Sequence, residues 1–247
     1  MKVSIITVVY NNEKTILDAI QSVLSQSYEN IEYIIIDGGS KDNTVKLISQ
    51  YENKLGYFVS EKDNGLYDAM NKGISMSTGD IIGILNSDDT FNSNTVIEEI
   101  VNFHKKNIIE ASVGDIVQHK TNGKVVRKYS SKFWNPEKLK IGFMPPHPSI
   151  FFKRELFDKF GVYDLGFKIG ADYELITRFF LKNNITWKYS GITTTAMLIG
   201  GLSSSGTTSY KMITKEIQKG LSMNGILFSP FKIKMRFLWK IIGFVKR

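Results

Sequence analysis

Residues Gly79–Asp89, GDIIGILNSDD, join a short run of β-branched and apolar side chains to an abrupt acidic end. Asp80 to Leu85 has the length and composition of a buried strand, and Asn86-Ser87-Asp88-Asp89 stops it. Upstream the same pattern recurs. Val3 to Val9 is a strand, followed by Thr15, Ile16, Ala19, Ile20, Val23 and Leu24 at helical spacing. Glu32 to Ile36 is a second strand ending at Asp37, and Val45, Leu47, Ile48 and Tyr51 mark a helix after the DGGSKDNT loop. Tyr57 to Val59 is a third, short strand, and Leu66, Ala69, Met70, Gly73 and Ile74 form the next helical stripe. Strands alternating with helices predict an α/β fold built on a parallel sheet. Each acidic cluster falls at the C-terminal end of a strand, the edge where open α/β sheets bind ligands.

Beyond about residue 107 the alternation fades. Thr121-Asn122-Gly123 suits a tight hairpin turn, and Met144-Pro145-Pro146-His147-Pro148 forbids a helix because three of its residues are prolines. Ser149 to Phe152 reads as a strand, Arg154 to Phe160 and Tyr173 to Leu181 as helices. With 247 residues, 42% of them hydrophobic, the chain can bury one substantial core. Residues 1–210 are expected to form that domain, with 1–106 and 107–210 as its halves and 211–247 as a tail. Cysteine is absent, which excludes disulfides, thiolate zinc sites and a cysteine nucleophile. The N-terminus lacks a signal-peptide cleavage site, and no stretch reaches the roughly 18 apolar residues of a membrane span. A cytoplasmic chain that does not cross a bilayer is expected.

The net charge of +8 is unevenly placed. Residues 1–100 carry 7 Lys and Arg against 15 Asp and Glu, residues 101–210 carry 16 against 8, and residues 211–247 carry 9 against 1. Up to residue 210 the charges balance, which argues against nucleic acid as the partner.

Convergent carboxylates at a sheet edge suit a hard divalent cation, which takes oxygen ligands and keeps some of its waters. Asp37, Asp88 and Asp89 are placed for that; a helix cap near Asn94 or a solvated turn is the conformational alternative. Tyr10, at the end of the first strand, is either a core aromatic or a ring open to a ligand. Gly38-Gly39 leaves the backbone beside Asp37 open to close approach. Asp68 and Lys72 are an i,i+4 pair that a surface salt bridge would also explain. His104 and His119 fall on polar segments and are expected to face solvent.

The runs TVVYNNE (Thr7 to Glu13), IIIDGGSKDNT (Ile34 to Thr44), DNGLYDAMNKGI (Asp63 to Ile74), GDIIGILNSDD and GADYELITR (Gly170 to Arg178) together resemble the family 2 glycosyltransferases over roughly the first 200 residues. The likeness is to small bacterial members that build capsule, O-antigen and exopolysaccharide. It implies the GT-A fold, a nucleotide-diphospho-sugar donor and metal-assisted inverting transfer. By this resemblance Thr7, Val9, Tyr10, Glu13 and Asp37 hold the base and ribose of a UDP-sugar, with Tyr10 stacked on uracil. Gly65, Asp68, Asn71, Lys72, Ser87 and His147 complete the donor site, and Asp88 with Asp89 holds Mn2+ or Mg2+. Where many relatives have Asp-x-Asp, this chain has Asn86-Ser87-Asp88, leaving Asp88 as principal ligand. Asp172 matches the family's catalytic base, with a helix cap as its structural alternative. Gly200-Gly201-Leu202-Ser203 resembles a segment that closes over the donor. A sugar nucleotidyltransferase would need a Gly-rich cationic loop that Tyr10-Asn11-Asn12-Glu13 does not supply, whereas Asn86 keeps open a non-catalytic sugar-nucleotide-binding subunit.

In FKIKMRFLWKIIGFVKR, from Phe231 onward, Lys232, Arg236, Lys240, Gly243 and Arg247 share one stripe of a helix and nearly every other position is apolar. That pattern predicts an interfacial helix facing anionic headgroups. Packing onto the domain or in a homodimer is the alternative. The combined expectation is a peripheral enzyme on the inner face of the cytoplasmic membrane, acting on a lipid-linked saccharide acceptor.

Overall fold

The computed structural model describes residues 1–121, 123–199 and 206–236. Strand β1 (Val3–Val9) is buried along its whole length, as a strand covered on both faces must be. It pairs in parallel with β2 (Ile31–Asp37) and β4 (Ile81–Ile84), and β2 pairs in parallel with β3 (Tyr57–Ser60). Alternation along β1 assigns its faces. Ile6 and Val8 pack under α3 (Leu66–Met76), whereas Val3, Ile5 and Val9 pack against α1 (Ile16–Leu24) and α4 (Val96–Lys106). The short α2 (Thr44–Ser49) follows β2. Gly73 lets α3 close on the sheet, because a Cβ there would lie 2.4 Å from Ile6 Cγ2.

The second half extends the same sheet with mixed polarity. β8 (Ile150–Lys153) enters antiparallel to β4, then come β6 (Ala111–His119), β9 (Trp187–Leu198) and β5 (Asp89–Phe91), with β7 (Val125–Tyr129) hairpinned onto β6 as predicted. Helices α5 (Glu155–Phe160), α6 (Ala171–Thr177) and α7 (Gly206–Met223) cover the α3 face, and α6 runs on into a π turn at Arg178–Lys182.

Two expectations are corrected. Residues 211–236 do not stand apart from the domain: Ile217, Leu221 and Ile233 are buried in the core beneath α6. Arg236, expected to face headgroups, is 3% exposed and lies over the Tyr210 ring at 5.0 Å, so burial lowers its pKa. The Gly200–Ser203 segment and residues 237–247 lie outside the described residues. His104 is likewise buried, its Nε2 3.0 Å from Ser112 Oγ, because α4 turns that face onto β6. Desolvation holds it neutral, with a pKa lowered to about 4.

Candidate functional site

The loops after β1, β2 and β4 meet at one edge of the sheet, and the loop after β1 stitches them together. Asn11 N donates to Ser40 Oγ at 2.7 Å, and Lys41 N returns a bond to Asn11 Oδ1 at 2.7 Å. Asn12 N donates to Thr44 Oγ1 at 2.8 Å, and its Nδ2 donates to Ser87 Oγ at 2.8 Å. Asn11 adopts φ 48°, a conformation asparagine tolerates better than most residues. Glu13 accepts both the backbone N and the Nδ2 of Asn43 at 2.9 and 2.8 Å. Glu13 and Ser87 are therefore members of this scaffold.

Tyr10 stands at the tip of the same loop and is 62% exposed, which settles its sequence-level ambiguity in favour of an open ring. Asp37 is fully buried, and its Oδ2 accepts Gly39 N, Ser40 N and Ser60 Oγ at 3.0, 2.9 and 2.6 Å. It organises the Gly-Gly turn, while Oδ1, which takes the Ser40 hydroxyl, keeps acceptor capacity. Gly38 is needed for a different neighbour than expected. A Cβ there would lie 2.4 Å from Asp63 Oδ2, so the glycine makes room for a carboxylate of the chain itself. Thr7 is corrected outright: it is fully buried, and its Oγ1 accepts Tyr33 OH at 3.1 Å. Val9 is 5% exposed and belongs to the core under α1.

Asp88 is partly exposed, whereas Asp89, the first residue of β5, is 1% exposed with one oxygen taken by Asn86 Nδ2 at 3.0 Å. The conformational alternative of a cap near Asn94 is not realised, since α4 begins at Val96. Burial and then the Asp88 charge push the Asp89 pKa up to about 7. Among the described residues no three His, Cys, Asp or Glu side chains cluster as a metal cage. Asp88 is the carboxylate open to Mg2+ or Mn2+, ions that complete their shell with water and substrate phosphate oxygens, whereas Asp89, expected to share the ion, is buried against Asn86.

A second group faces this edge from the other half. Asp172, in the first turn of α6, accepts Tyr173 N at 2.7 Å and Tyr67 OH at 3.4 Å through Oδ1. Burial pushes its pKa up to about 6, the Tyr173 and Tyr67 donors offsetting part of the rise. Tyr67 comes from α3 and also donates to the Ile169 carbonyl. Its ring stacks on Tyr163 at 5.5 Å, and Tyr163 OH lies 2.7 Å from His147 Nε2. Burial lowers the His147 pKa to about 4, so the imidazole is neutral. Glu174, the neighbouring carboxylate, is excluded as a base: it is buried and clamped by Arg178 Nε and Nη2 at 3.0 and 2.8 Å.

Several donor-site candidates serve the framework. Asn71 holds Tyr163 from both sides, donating to its carbonyl at 2.8 Å and accepting its N–H at 2.9 Å. Asp68 accepts Asn64 N at 2.9 Å and lies 3.8 Å from Lys72, which pairs more closely with Glu61 at 2.9 Å. The salt-bridge alternative thus describes Asp68 and Lys72. Gly65 caps α3 at φ 111° with open space on its Cβ side.

Sequence reasoning overlooked Tyr67, Tyr163, Asp63 and Glu216. Asp63 carried the same signal as Asp37, an acidic residue just past a strand. Glu216 carried another, as the lone acid in residues 211–247. Its carboxylate accepts the N–H groups of Lys168, Ile169 and Gly170 at 2.8, 3.0 and 2.7 Å, fixing the loop that delivers Asp172.

Comparison with known proteins decides the family. The profile "Glycosyl transferase family 2" matches residues 4–163. The chain belongs to glycosyltransferase family 2. An uncharacterized glycosyltransferase of Mycobacterium tuberculosis is 35% identical over 181 residues, 71% of this chain and 68% of its own. A PGL/p-HBAD biosynthesis glycosyltransferase of Mycobacterium bovis is 26% identical over 227 residues, 90% of this chain and 84% of its own. Among solved structures, S. aureus TarS 1–349 in complex with UDP-GlcNAc superimposes with a TM-score of 0.71 at 18% identity, covering 90% of this chain and 66% of TarS 1–349. The mannosyltransferase PcManGT of Pyrobaculum calidifontis, in complex with GDP-Man and Mn2+, gives 0.68 at 17% identity, covering 94% of this chain and 67% of that one. The fold of this family 2 glycosyltransferase is GT-A.

Proposed function

We propose that this family 2 glycosyltransferase moves a hexosyl or N-acetylhexosaminyl group, with inversion, from a UDP-sugar to a hydroxyl of a lipid-linked saccharide in bacterial surface polysaccharide synthesis. The observation that carries the reading is Asp172: a carboxylate with a pKa raised to about 6, joined through Tyr67 to the helix that packs on the donor strands. A base so tuned is ionised at neutral pH yet takes a proton readily from an attacking hydroxyl.

In this reading Tyr10 stacks on the uracil, and Asp37, fully buried, holds the Gly38-Gly39 turn against which the base lies. Asp88 would hold Mn2+ or Mg2+ from the protein side, with Asp89 fixing the turn behind it through Asn86, and the ion's charge would offset that on the departing diphosphate. The excess of acidic residues in positions 1–100 makes that cation valuable, because a bare diphosphate would be repelled. Neutral His147 with Tyr163 and Tyr67 keeps Asp172 in place and limits water around it. Asp172 takes the proton of the acceptor hydroxyl as its oxygen attacks the anomeric carbon from the face opposite the departing UDP, through an oxocarbenium-like state, and this single displacement gives inversion. Residues 237–247 continue the apolar and basic pattern and would bring the enzyme to the inner-leaflet surface. Among the described residues no helix is long and apolar enough to cross a membrane.

The test is a donor screen with purified protein, scoring hydrolysis and calorimetric binding for UDP-glucose, UDP-galactose, UDP-N-acetylhexosamines and GDP-mannose, with Mn2+ and with EDTA. Metal-dependent binding of a UDP-sugar in preference to GDP-mannose is expected. A clear preference for GDP-mannose would overturn the uracil assignment of Tyr10.

A further inference from the structure

Residues 120–140 contain seven Lys and Arg against one acidic residue, Glu137. The hairpin of β6 and β7 and the turn at Pro136–Ile141 bring this segment around a groove of about 410 Å³, lined by Arg127, Lys128, Phe133, Trp134, Lys138 and Met144 among others. Lys128 lies 3.6 Å from Asp115 and Lys140 2.7 Å from Glu137, Arg127 lies over the Tyr129 ring at 5.2 Å, and Lys138 Nζ donates to the Phe133 carbonyl. Phe133 is 77% exposed, with the Lys132 ammonium 5.7 Å from its ring centre, and Trp134 forms the groove's inner wall. Buried Arg236 adds charge beneath the rim. Its Nη1 would lie 3.3 Å from a Cβ on Gly142, between groove-lining Ile141 and Phe143, and its Nε has no partner among the described residues.

A chain of contacts links the groove's wall to the surroundings of the base, since Tyr163, which His147 meets, stacks on Tyr67, and Tyr67 donates to Asp172. The Leu139 carbonyl accepts the hydroxyl of Tyr173, next to Asp172, and groove-lining Pro145 is two residues from His147, which meets Tyr163. The loops proposed to bind the donor lie at the strand ends, so this is a separate surface, and it is oppositely charged. Aromatic rings beside guanidinium and ammonium groups suit a saccharide attached to a phosphate.

We infer that this groove is the acceptor's phosphate subsite: it takes the diphosphate of a lipid-diphosphate-linked saccharide, with Arg127 and Lys138 on the phosphates and Phe133 and Trp134 against the adjoining sugar or lipid. This rests on the glycosyltransferase reading and specifies the acceptor within it. Charge complementarity selects the occupant, and the chain's continuation from Arg236 as FLWKIIGFVKR suits a membrane-borne one.

The full chain, saturated with UDP and Mn2+ to fill the donor site, is titrated calorimetrically with geranylgeranyl diphosphate, with geranylgeraniol and with a single-stranded oligonucleotide. Binding of the diphosphate at least ten-fold tighter than of the alcohol is expected. Arg127→Gln combined with Lys138→Gln should weaken it ten-fold or more with UDP affinity unchanged. Phe133→Ala, at an exposed position that the fold does not need, should weaken it several-fold. Unaltered affinity in these variants, equal binding of the alcohol, loss of diphosphate binding once UDP is added, or tighter binding of the oligonucleotide would each overturn the inference. Failure of UDP itself to bind would instead count against the donor reading, and the variants' effect on diphosphate affinity would still decide the groove.

Discussion

Asp172 concentrates the chemistry in one side chain, and its environment makes two measurable demands. Asp172→Asn keeps shape but cannot accept a proton, so kcat should fall by about 10²- to 10⁴-fold with UDP-sugar affinity near wild type. Retention of a substantial fraction of kcat would reduce the residue to a helix cap. In the wild type, kcat/KM should rise with pH through an apparent pKa of about 6. The stability consequence has the opposite sign. Because the folded-state pKa lies above the unfolded value, the fold binds the proton more tightly, and stability falls as pH rises from about 4 to about 6. Asp172→Asn should therefore be more stable than wild type at pH 7.5, by on the order of 1 kcal/mol for a carboxylate still partly open to water. Asp88→Asn should spare the fold and weaken Mn2+-dependent UDP binding; unchanged metal-dependent affinity in a calorimetric titration would remove Asp88 from the site.

Two elements hold the base in place without touching substrate. Helix α3 does so through Asn71, which grips the Tyr163 backbone from both sides. Helix α7 does so through Glu216, which collects three successive N–H groups ahead of Asp172. Asn71→Ala and Glu216→Ala should each destabilise the protein by about 1–3 kcal/mol, since each leaves polar backbone groups without partners. Both should lower kcat more than they raise KM for the UDP-sugar, the signature of a displaced base. Glu216→Gln, which retains one acceptor oxygen, should recover part of the loss. A melting temperature unchanged by Glu216→Ala would show that the loop holds itself.

For the molecule as a whole, the boundary near residue 236 matters more than one at 210. Deleting 211–247 would strip Ile217, Leu221 and Ile233 from the core and Glu216 from the base loop, and should prevent folding. Deleting 237–247 leaves every described contact in place. That truncation should fold, bind UDP-sugar, and lose co-sedimentation with anionic liposomes at low salt, with activity falling far more on a long-chain lipid-linked acceptor than on a short soluble one. Equal sedimentation of both forms would assign any membrane affinity to the domain or to none of it.

Parallel strands buried on both faces announce themselves as apolar runs, so β1, β2, β4 and the acidic residues at the ends of β2 and β4 were legible in the chain, whereas Asp172 was reached only through its likeness to a family motif. Strand β9 was not legible, because WKYSGITTTAML satisfies its threonines with hydrogen bonds to distant backbone, such as Thr195 Oγ1 to Pro148 O at 3.1 Å, and so hides as polar sequence. The roles of Thr7, Asn71 and Lys72 also escaped, since a hydroxyl, an amide or an ammonium at a strand end or on a helix looks the same whether it meets a ligand or a neighbour. Residue order determines periodicity, composition and the ends of elements. Only packing decided that Glu216 would reach the loop at Gly170, that Arg236 would turn inward, and that Asp172 would be held by a tyrosine more than a hundred residues away. Those contacts join segments whose proximity follows from how helices close over the sheet, and no local pattern in the chain records it.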